Sequence, residues 1–438
     1  MRLSFLASLF LLIAACLGAC GDNFIPVVQV SPHGDDANDG FSKPVRTLRR
    51  GIEIATANTQ IRGIDVDAGR YDKTSGEGFP YYVPADVTIS GPVNGGAVLA
   101  GVGTEPGLLV NDGELRDLTL EGFSAAVISG GVTRLLNLHV RASGAAIYGA
   151  AASRLTAIKL DVVGVANTAG MADVCSRGVV LTDDASFTGS EISVRAVDAA
   201  FQMEDMTTAS ISRAHITGVT DGNACSKALF HVRTPGTFTL DESVVENALS
   251  GIIFELADPS TPATIKGTLI RNMRNSGLIG RTVTLTMSNS EIASNGQHGL
   301  EANGGTWNLD GVTLKRNIRS GAHLQGNTVS PAKLMMRGCT ILNNYRDGVN
   351  LYDVIDADLG TVASPGNNTF LGNTEQGLLI RGCQSISPAH AVGNAWRPNV
   401  QGANSVGENS AVVNVTGSVT QRAGNNYAIL PIGCVLQR

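Results

Sequence analysis

The feature that most constrains the fold is a phrase that repeats along the chain from about residue 170 onward. In each copy a small residue, here called the anchor, follows a turn and opens an apolar strand. Another alternating strand lies upstream, as in "TLTMSNSEIASN" and "TWNLDGVTLKRN". Successive anchors are 22 to 29 residues apart by subtraction of their numbers. The anchors are Gly178, Ala200, Ala228, Gly251, Gly277, Gly299, Gly321, Gly348 and Gly377.

A period of this length, with short alternating strands and turn residues, is typical of a stacked β-solenoid. Helical repeats would need apolar residues at a 3.6-residue period, which the segment lacks. Asn stands four residues before the anchor in five coils, and its amides can hydrogen-bond from coil to coil. The five are Asn247, Asn295, Asn317, Asn344 and Asn373, and Asn272 stands five before its anchor. We therefore predict an all-β, right-handed parallel β-helix, the handedness following most parallel crossovers.

The register also predicts which side chains face outward, because successive residues of a strand point to opposite faces. The positions one and three after the anchor are mostly apolar and are predicted to face inward, with His231 as a core histidine. The positions two and four after it face outward. They place Glu301, His323 and Asn350 in one ladder, flanked by Asn303, Gln325, Tyr352 and Arg381. Earlier coils have Phe230, Ile253 and Ile279 in the ladder column, which predicts a covering loop.

An outward face of Asn, Gln, His and acid beside one aromatic suits a sugar polymer, whose hydroxyls need many polar partners. The alternative is an ordinary solvated sheet face, whose outward residues are polar in any case. The two tryptophans give little platform for sugar stacking, and Trp307 lies in an alternating strand, where a core position is favoured.

Ahead of the repeats, "KPVRTLRRGIEIA" places Leu48, Ile52 and Ala55 on one helical face. Because the first coil of a solenoid would otherwise expose its core and strand edges, we predict that this amphipathic helix is the N-terminal cap. The acidic segment "GDDANDG" before it is interpreted as a turn with local hydrogen bonds. A calcium loop is the alternative, although the EF-hand spacing is incomplete.

The stretch "VSPHGDDANDGFSKPVRTL", followed by "DAGRY" (67–71) and "VTISG" (87–91), resembles the entry segment of bacterial pectate-lyase-like β-helix proteins. These include a family whose domain has no established function. The later phrases "DADLG…SPGNNTF" and "GNAWRPNVQGAN" resemble the closing coils of the same group. The resemblance implies the fold over nearly all of the mature chain and leaves the activity open, since such scaffolds serve many functions.

Three groups could carry catalysis. Glu301 and His323 on adjacent coils could act as acid and base. Clustered carboxylates at the strand ends could hold Ca²⁺, with Arg233 on the next coil as the base of a lyase reaction; the metal candidates are Asp183, Glu204 and Asp205, beside Asp184. A third group, Asp353, Asp356 and Asp358, is better explained by turn formation. A glycosidase pair of Glu255 and Glu301 would lie two coils apart in different columns.

The N-terminus predicts export and lipidation. Arg2 precedes an apolar run to Leu17, and "LGAC" ends at Cys20, as in a bacterial lipobox. We predict a signal peptide over 1–19, a lipidated linker over 20–29 and one β-helix domain over 30–438. Within that domain, 30–91 is the entry and cap, 170–400 holds the best-defined coils and 400–438 closes the helix. Gly21 after Cys20 favours anchoring in the outer membrane of the bacterial cell envelope.

Cysteine and charge usage narrow the partners. Five cysteines remain after Cys16 and Cys20, so at least one is free; the preferred disulfides are Cys175–Cys225 and Cys383–Cys434. A net charge of −6 gives no electrostatic case for nucleic acid. No cofactor is predicted beyond the possible Ca²⁺, and the cap favours a monomer. A carbohydrate-binding surface lipoprotein without turnover is our first hypothesis, with a Ca²⁺-dependent polysaccharide lyase or hydrolase, and a structural or adhesive stalk, as alternatives.

Overall fold

A computed structural model describes residues 26–165, 176–219, 228–233, 236–255, 262–327, 329–353, 356–361, 363–381, 390–391, 393–396 and 427–430. No helix among these residues is long and apolar enough to cross a membrane. Cys20 and the four cysteines of the two predicted disulfides fall outside the described residues, and so do both pairings. Cys339 is a free thiol buried in the core.

The described chain up to Gly164 contains one α-helix, one short 3-10 helix and nine strands. They are β1 (Val27–Val30), α1 (Leu48–Ala57), β2 (Gly63–Val66), β3 (Gly69–Tyr71), the 3-10 helix (Lys73–Ser75), β4 (Tyr81–Val83), β5 (Val87–Ser90), β6 (Ala97–Ala100), β7 (Pro106–Arg116), β8 (Thr119–Gly149) and β9 (Arg154–Gly164).

The rest of the described chain contributes twenty-seven strands of two to six residues. In chain order they are β10 (Arg177–Leu181), β11 (Ser186–Ser190), β12 (Ser193–Val197), β13 (Ala199–Met203), β14 (Thr208–Ser212), β15 (His215–Gly218), β16 (Phe230–Arg233), β17 (Thr237–Asp241), β18 (Val244–Glu246), β19 (Ile252–Glu255), β20 (Pro262–Lys266), β21 (Leu269–Arg271), β22 (Leu278–Arg281), β23 (Thr284–Ser288), β24 (Glu291–Ala293), β25 (Leu300–Asn303), β26 (Gly305–Asp310), β27 (Thr313–Lys315), β28 (Ala322–Gln325), β29 (Ala332–Arg337), β30 (Thr340–Leu342), β31 (Val349–Tyr352), β32 (Asp356–Asp358), β33 (Thr369–Leu371), β34 (Leu378–Arg381), β35 (Ala395–Trp396) and β36 (Tyr427–Leu430).

Each coil supplies one strand to each of three parallel sheets. The strand that follows the anchor forms the first sheet, in which β25 pairs with β22 and β28. The second strand forms the second sheet, where β26 pairs with β23 and β29, and the third strand forms the third sheet, where β27 pairs with β24 and β30. The chain is therefore a parallel β-helix of about eleven turns, and the predicted fold class is confirmed.

The column one residue after the anchor faces inward, as predicted. In the coil that contains Ala228, however, the strand pairs one residue later than predicted. There Phe230 pairs with Phe201 and is fully buried, whereas His231 pairs with Gln202 on the outer face. The predicted inward position of His231 and outward position of Phe230 are therefore wrong. The cause is one extra residue before the strand: the carbonyl of Leu229 accepts from both Ala200 N and Phe201 N. A one-residue shift exchanges the two faces of a strand.

Four buried asparagines form a ladder at the corner between the third strand of one coil and the first strand of the next. They are Asn295, Asn317, Asn344 and Asn373. The amide oxygen of each of the last three accepts from the backbone N and from the Nδ2 of the Asn one coil earlier, at 2.9–3.2 Å. The predicted coil-to-coil amide bonding is confirmed for these four.

Asn247 and Asn272 are not part of this ladder, so their predicted place in it is wrong. They adopt left-handed φ values of 59° and 58°, in the column just before it. In the coil of Asn272, Met273 occupies the ladder position, and its backbone N donates to Asn295 Oδ1 at 3.0 Å. Asn suits both columns for different reasons, since it tolerates left-handed backbone and can bond along a stack.

The amphipathic helix α1 is the N-terminal cap, as predicted. Leu48, Ile52 and Ala55 are buried on one face, and the Thr47 side chain caps the first turn through Arg50 N. The buried Glu77 carboxylate accepts from Leu48 N at 2.7 Å and from Tyr81 Oη at 2.5 Å. Desolvation by burial raises the pKa of Glu77, more than these hydrogen bonds lower it.

The acidic segment before α1 is a turn, as favoured from the sequence. The Asp39 carboxylate accepts from the backbone N of Phe41, Ser42 and Lys43, and these bonds, that of Phe41 first, lower its pKa to about 2. Asp36 accepts from Arg46 N and Thr47 N at the start of the helix. These carboxylates are therefore occupied by backbone donors of their own segment.

Trp307 is fully buried, which confirms its predicted core position, and its indole Nε1 donates to Gly304 O at 2.8 Å. Gly280 faces it from the preceding coil. A Cβ on Gly280 would lie 2.3 Å from Trp307 Cη2. Because Gly280 has no side chain, the indole of Trp307, the largest residue of the core, fits against it.

Gly280→Ala is expected to destabilise the protein by about 1–3 kcal/mol, because overpacking forces a shift of the rigid indole. The change is measured as a lower urea midpoint of unfolding. Gly78→Ala is the matched control, since a Cβ there would meet nothing within 4 Å. An equal effect at both positions would contradict the packing argument.

Candidate functional site

The outer face of the first sheet contains the predicted polar ladder. Strand pairing places Glu301 beside His323 and His323 beside Asn350 on successive coils. Two residues further along the same strands, on the same face, Asn303 pairs with Gln325 and Gln325 pairs with Tyr352. Paired strands lie about 4.8 Å apart, so six side chains form a two-column polar surface that follows the helix axis.

Exposure differs among these residues. Asn303, Gln325 and Tyr352 are exposed, and Glu301 and His323 are half-buried. Asn350 is only 9% exposed, and its Nδ2 donates to Asp347 Oδ2 at 3.0 Å. Arg381 pairs with Tyr352 through its backbone, and its side chain lies outside the described part of the chain. The surface open to a ligand is therefore centred on Glu301, His323 and the exposed amides.

A small pocket of about 120 Å³ lies at the upstream end of this surface. Its lining includes Arg281, Glu301, Asn303, His323 and Gln325. Ser276 Oγ donates to Glu301 Oε2 at 2.7 Å and fixes one carboxylate oxygen of Glu301. Cationic, anionic and amide groups thus surround one concave position, which can donate to and accept from a polyhydroxylated ligand.

A buried polar column lies just before the anchors and was missed from the sequence. It comprises Ser250, Ser276, His298, Ser320 and Asp347. His298 stacks on His323 of the next coil with ring centroids 4.8 Å apart and planes 21° from parallel. The sequence contained a signal for it. A column two positions before an inward apolar column should also face inward and be apolar, but this column is polar in all five coils.

This column supports the ladder from below. Ser276 contacts Glu301, Asp347 contacts Asn350 and His298 contacts His323, so each ladder residue has a buried partner. Burial, followed by electrostatic repulsion from the side chains of His323, Arg319 and Arg346, lowers the pKa of His298 to about 3. His298 Nδ1 accepts from Ser320 N at 3.3 Å, as a neutral imidazole can.

The upstream part of the same face differs in character. Ile253 is 8% exposed and Ile279 is half-buried. His231 lies beside Ile253, and its Nε2 is 3.1 Å from Glu255 Oε2. Two isoleucines therefore separate His231 from Glu301 in the ladder column, and its uninterrupted polar run begins at Glu301, where the sequence also placed it.

The metal candidates do not converge. No three His, Cys, Asp or Glu side chains in the described ranges are grouped so that they could hold a metal ion, and this covers Asp183, Glu204 and Asp205. Glu204 Oε1 instead accepts from Gln202 Nε2 at 2.5 Å. Asp183 and Asp205 have left-handed φ values of 53° and 55°, typical of turns.

Arg233, the candidate base, is engaged in ion pairs. Its guanidinium lies 3.7 Å from Glu204 and 3.4 Å from Glu255. Strand pairing places it three coils from Asn303, about 14 Å along the stack. Arg233 and the Glu301–His323 pair therefore do not form one catalytic group.

The third acidic group has the structural role favoured from the sequence. Asp353 has a left-handed φ of 50° at the end of β31. Asp358 Oδ2 accepts from Arg337 Nη2 at 2.7 Å, and Gly360 N donates to Asp358 Oδ1. Asp356 begins β32. The contacts of Asp358 and the left-handed backbone of Asp353 are typical of turns.

Comparison with known proteins supports the fold. Residues 250–419 match a family model described as a right-handed β-helix region, and residues 32–110 match one described as a protein of unknown function, DUF1565. No curated protein matches the chain. The predicted handedness and the resemblance to β-helix proteins with a domain of unestablished function are thereby confirmed.

Several solved structures are similar in fold. The catalytic domain of a GH87 α-1,3-glucanase in complex with nigerose has a TM-score of 0.44 and 12% identity, over 80% of this chain and 67% of that one. The A-module of the Azotobacter vinelandii mannuronan C-5 epimerase AlgE6 has a TM-score of 0.38 and 13% identity, over 80% and 94%. A periplasmic alginate epimerase AlgG double mutant has 0.38 and 12%, over 68% and 84%.

His298 is expected to make the protein acid-sensitive. The unfolded chain takes up a proton on this histidine near pH 6.5, whereas the folded state resists it down to about pH 3. Because the unfolded state then binds more protons, stability falls as the pH drops from 6.5 to 3, by up to about 1.4 kcal/mol per pH unit. His298→Asn removes this component and is expected to flatten the dependence of the urea midpoint on pH.

The control is His33→Asn, which changes an exposed histidine of the entry segment. It should leave the slope between pH 7 and pH 4.5 as in the wild type. A wild-type slope in the His298→Asn variant would show that burial of this imidazole does not govern acid stability.

Proposed function

We propose that the protein is a bacterial outer-membrane lipoprotein whose first-sheet face binds an extended polysaccharide without turning it over. The observation that carries this proposal is the in-register polar surface of Glu301, His323, Asn303, Gln325 and Tyr352. From Glu301 to Asn350 the stack of strands presents a polar side chain at each step of about 4.8 Å, which suits a polymer that runs along the axis.

The chemistry of these side chains fits sugar hydroxyls. The amides of Asn303 and Gln325 can each donate and accept, and the Glu301 carboxylate accepts strong hydrogen bonds. The exposed Tyr352 ring, next to Gln325, offers an apolar face for a sugar ring. Ser276 fixes Glu301 and the imidazole of His298 packs under His323, so both are held in place before a ligand arrives.

Binding is favoured over turnover because the candidate catalytic groups have other partners or lie apart. Arg233 is paired with Glu204 and Glu255, and Glu255 lies in a different column from Glu301. A lyase or hydrolase and an inert stalk remain the competing functions. Product formation would indicate a lyase or hydrolase, and failure to bind any polysaccharide would indicate a stalk.

We further propose that Cys20 carries the lipid that anchors the β-helix to the outer membrane. The proposal is based on "LGAC" at the end of an apolar N-terminal run and on Gly21 after the cysteine. The capped entry segment beginning with β1 follows closely, so the cap would lie near the membrane and the first-sheet face would extend away from it.

Glu301→Gln is expected to weaken polysaccharide binding by about ten-fold or more, because a hydrogen bond to a charged group contributes about 1.5–3 kcal/mol. His323→Gln should have a similar effect. The measurement is a glycan-array screen of the purified mature protein, followed by calorimetric titration of the strongest ligand. Ultraviolet absorbance of unsaturated products is recorded with Ca²⁺ and with chelator.

The matched control is Glu291→Gln. Glu291 lies on β24 in the third sheet, outside the first-sheet face, and its carboxylate forms an ion pair with Lys315. The variant should bind as the wild type does. Unsaturated product that forms with Ca²⁺ and not with chelator would establish a lyase in place of a binding protein. No binding to any glycan on the array would favour a stalk.

Cys20→Ser is expected to abolish radiolabelling by palmitate and to move the protein from the outer-membrane fraction to the soluble fraction. Cys16→Ser is the control, because that cysteine lies within the predicted signal peptide. Unchanged labelling of the Cys20→Ser protein would contradict the anchor.

A further inference from the structure

A second concave surface lies at the corner between the third and first sheets, away from the first-sheet face. It has a volume of about 710 Å³ and spans five successive coils. We call it the corner groove. Its lining residues are Asn272, Met273, Arg274, Ser294, Asn295, Gly296, Arg316, Ile318, Asn343, Tyr345, Gly372 and Thr374.

The groove has a rigid floor and two walls. The floor contains Met273 and Asn295, the first member of the buried asparagine ladder. One wall is the left-handed column that contains Asn272, Ser294 and Arg316, and the other contains Arg274, Ile318 and Tyr345. Because coil-to-coil hydrogen bonds fix the floor, the concave shape does not depend on a ligand.

Small residues keep the groove open at the second of its five coils. Ser294 and Gly296 flank the floor residue Asn295, so neither wall is tall there. A Cβ on Gly296 would lie 2.1 Å from the carbonyl oxygen of Arg274. A side chain at this position is therefore excluded by the backbone of the preceding coil.

The charge in the groove is positive, although the whole chain carries −6. Arg274 and Arg316 are both exposed and line it, and no Asp or Glu does. They stand on opposite walls two coils apart, about 9.6 Å along the axis. Arg316 has no ion-pair partner among the residues that the structure describes, so its guanidinium is available for a carboxylate or sulfate.

An apolar surface lies beside the two arginines. Ile318 is 52% exposed and Tyr345 is 61% exposed, on adjacent coils of the same wall. Exposed apolar side chains next to cations favour a ligand that has both an anionic group and an apolar ring face. Sugar rings that carry a carboxylate or sulfate have both.

We propose that the corner groove binds an acidic polysaccharide, with Arg274 and Arg316 contacting anionic groups of the polymer and Tyr345 packing on a sugar ring. The groove suits a repeating polyanion better than a single anion, because its two cations are separated along an open track. This site is distinct from the first-sheet face and does not depend on the function proposed for that face.

The test is calorimetric titration of the mature protein with polygalacturonate and, as the neutral counterpart, with a galactan. Arg274→Gln combined with Arg316→Gln should weaken polygalacturonate binding at least about ten-fold and leave the galactan response unchanged. Raising the salt concentration should weaken wild-type binding of the polyuronate, because exposed ion pairs are screened. Tyr345→Ala should also weaken it, and Tyr345→Phe should not.

The matched control is Arg134→Gln combined with Arg154→Gln, which removes the same charge from exposed positions outside the groove. It should bind polygalacturonate as the wild type does. Equal losses in the two double variants would show a general charge effect and overturn the site, as would wild-type protein that does not bind the polyuronate.

The two binding proposals fail separately. Glu301→Gln and His323→Gln act on the first-sheet face and should leave binding in the corner groove intact. If these variants abolish polygalacturonate binding and the groove variants do not, the polyuronate occupies the first-sheet face, and the corner groove is overturned.

Discussion

In-register hydrogen bonding between successive coils determines both the core and the surface of this β-helix. Each strand pairs in parallel with the equivalent strand one coil away, so a residue position becomes a column along the axis. The columns determine what can be buried. Apolar columns build the core, and the asparagine ladder satisfies its own buried amides through the next coil. A side chain in an outward column has its neighbours on the adjacent coils about 4.8 Å away.

The two candidate binding surfaces are products of the same stacking. The first-sheet face lies after the anchors and the corner groove before them. Between them runs the buried polar column that includes Ser276, His298 and Asp347. It orients Glu301, His323 and Asn350 from beneath, while Asn295 of the asparagine ladder lies in the groove floor. Rigid backbone under both surfaces lowers the entropy cost of binding.

Much of this was predictable from the sequence, because side-chain alternation and a fixed period leave few choices of register. The inward columns and the pairing of Glu301 with His323 follow from these two constraints, and the cap residues Leu48 and Ile52 follow from helical periodicity. The failures occur where the period changes by one residue, since such a shift exchanges faces and misplaced His231. Burial of Asn350 was not predictable, because it depends on a side-chain contact with Asp347. The corner groove depends on several coils at once, which no single repeat reveals.

The decisive measurement is a crystal structure of the protein with an oligosaccharide taken from its strongest glycan-array response. We expect a sugar chain that lies along the helix axis on the first-sheet face, with hydroxyls bonded to Glu301 and His323 and a ring near Tyr352. A chain bound on the second or third sheet, with the first-sheet face bare, would contradict this expectation.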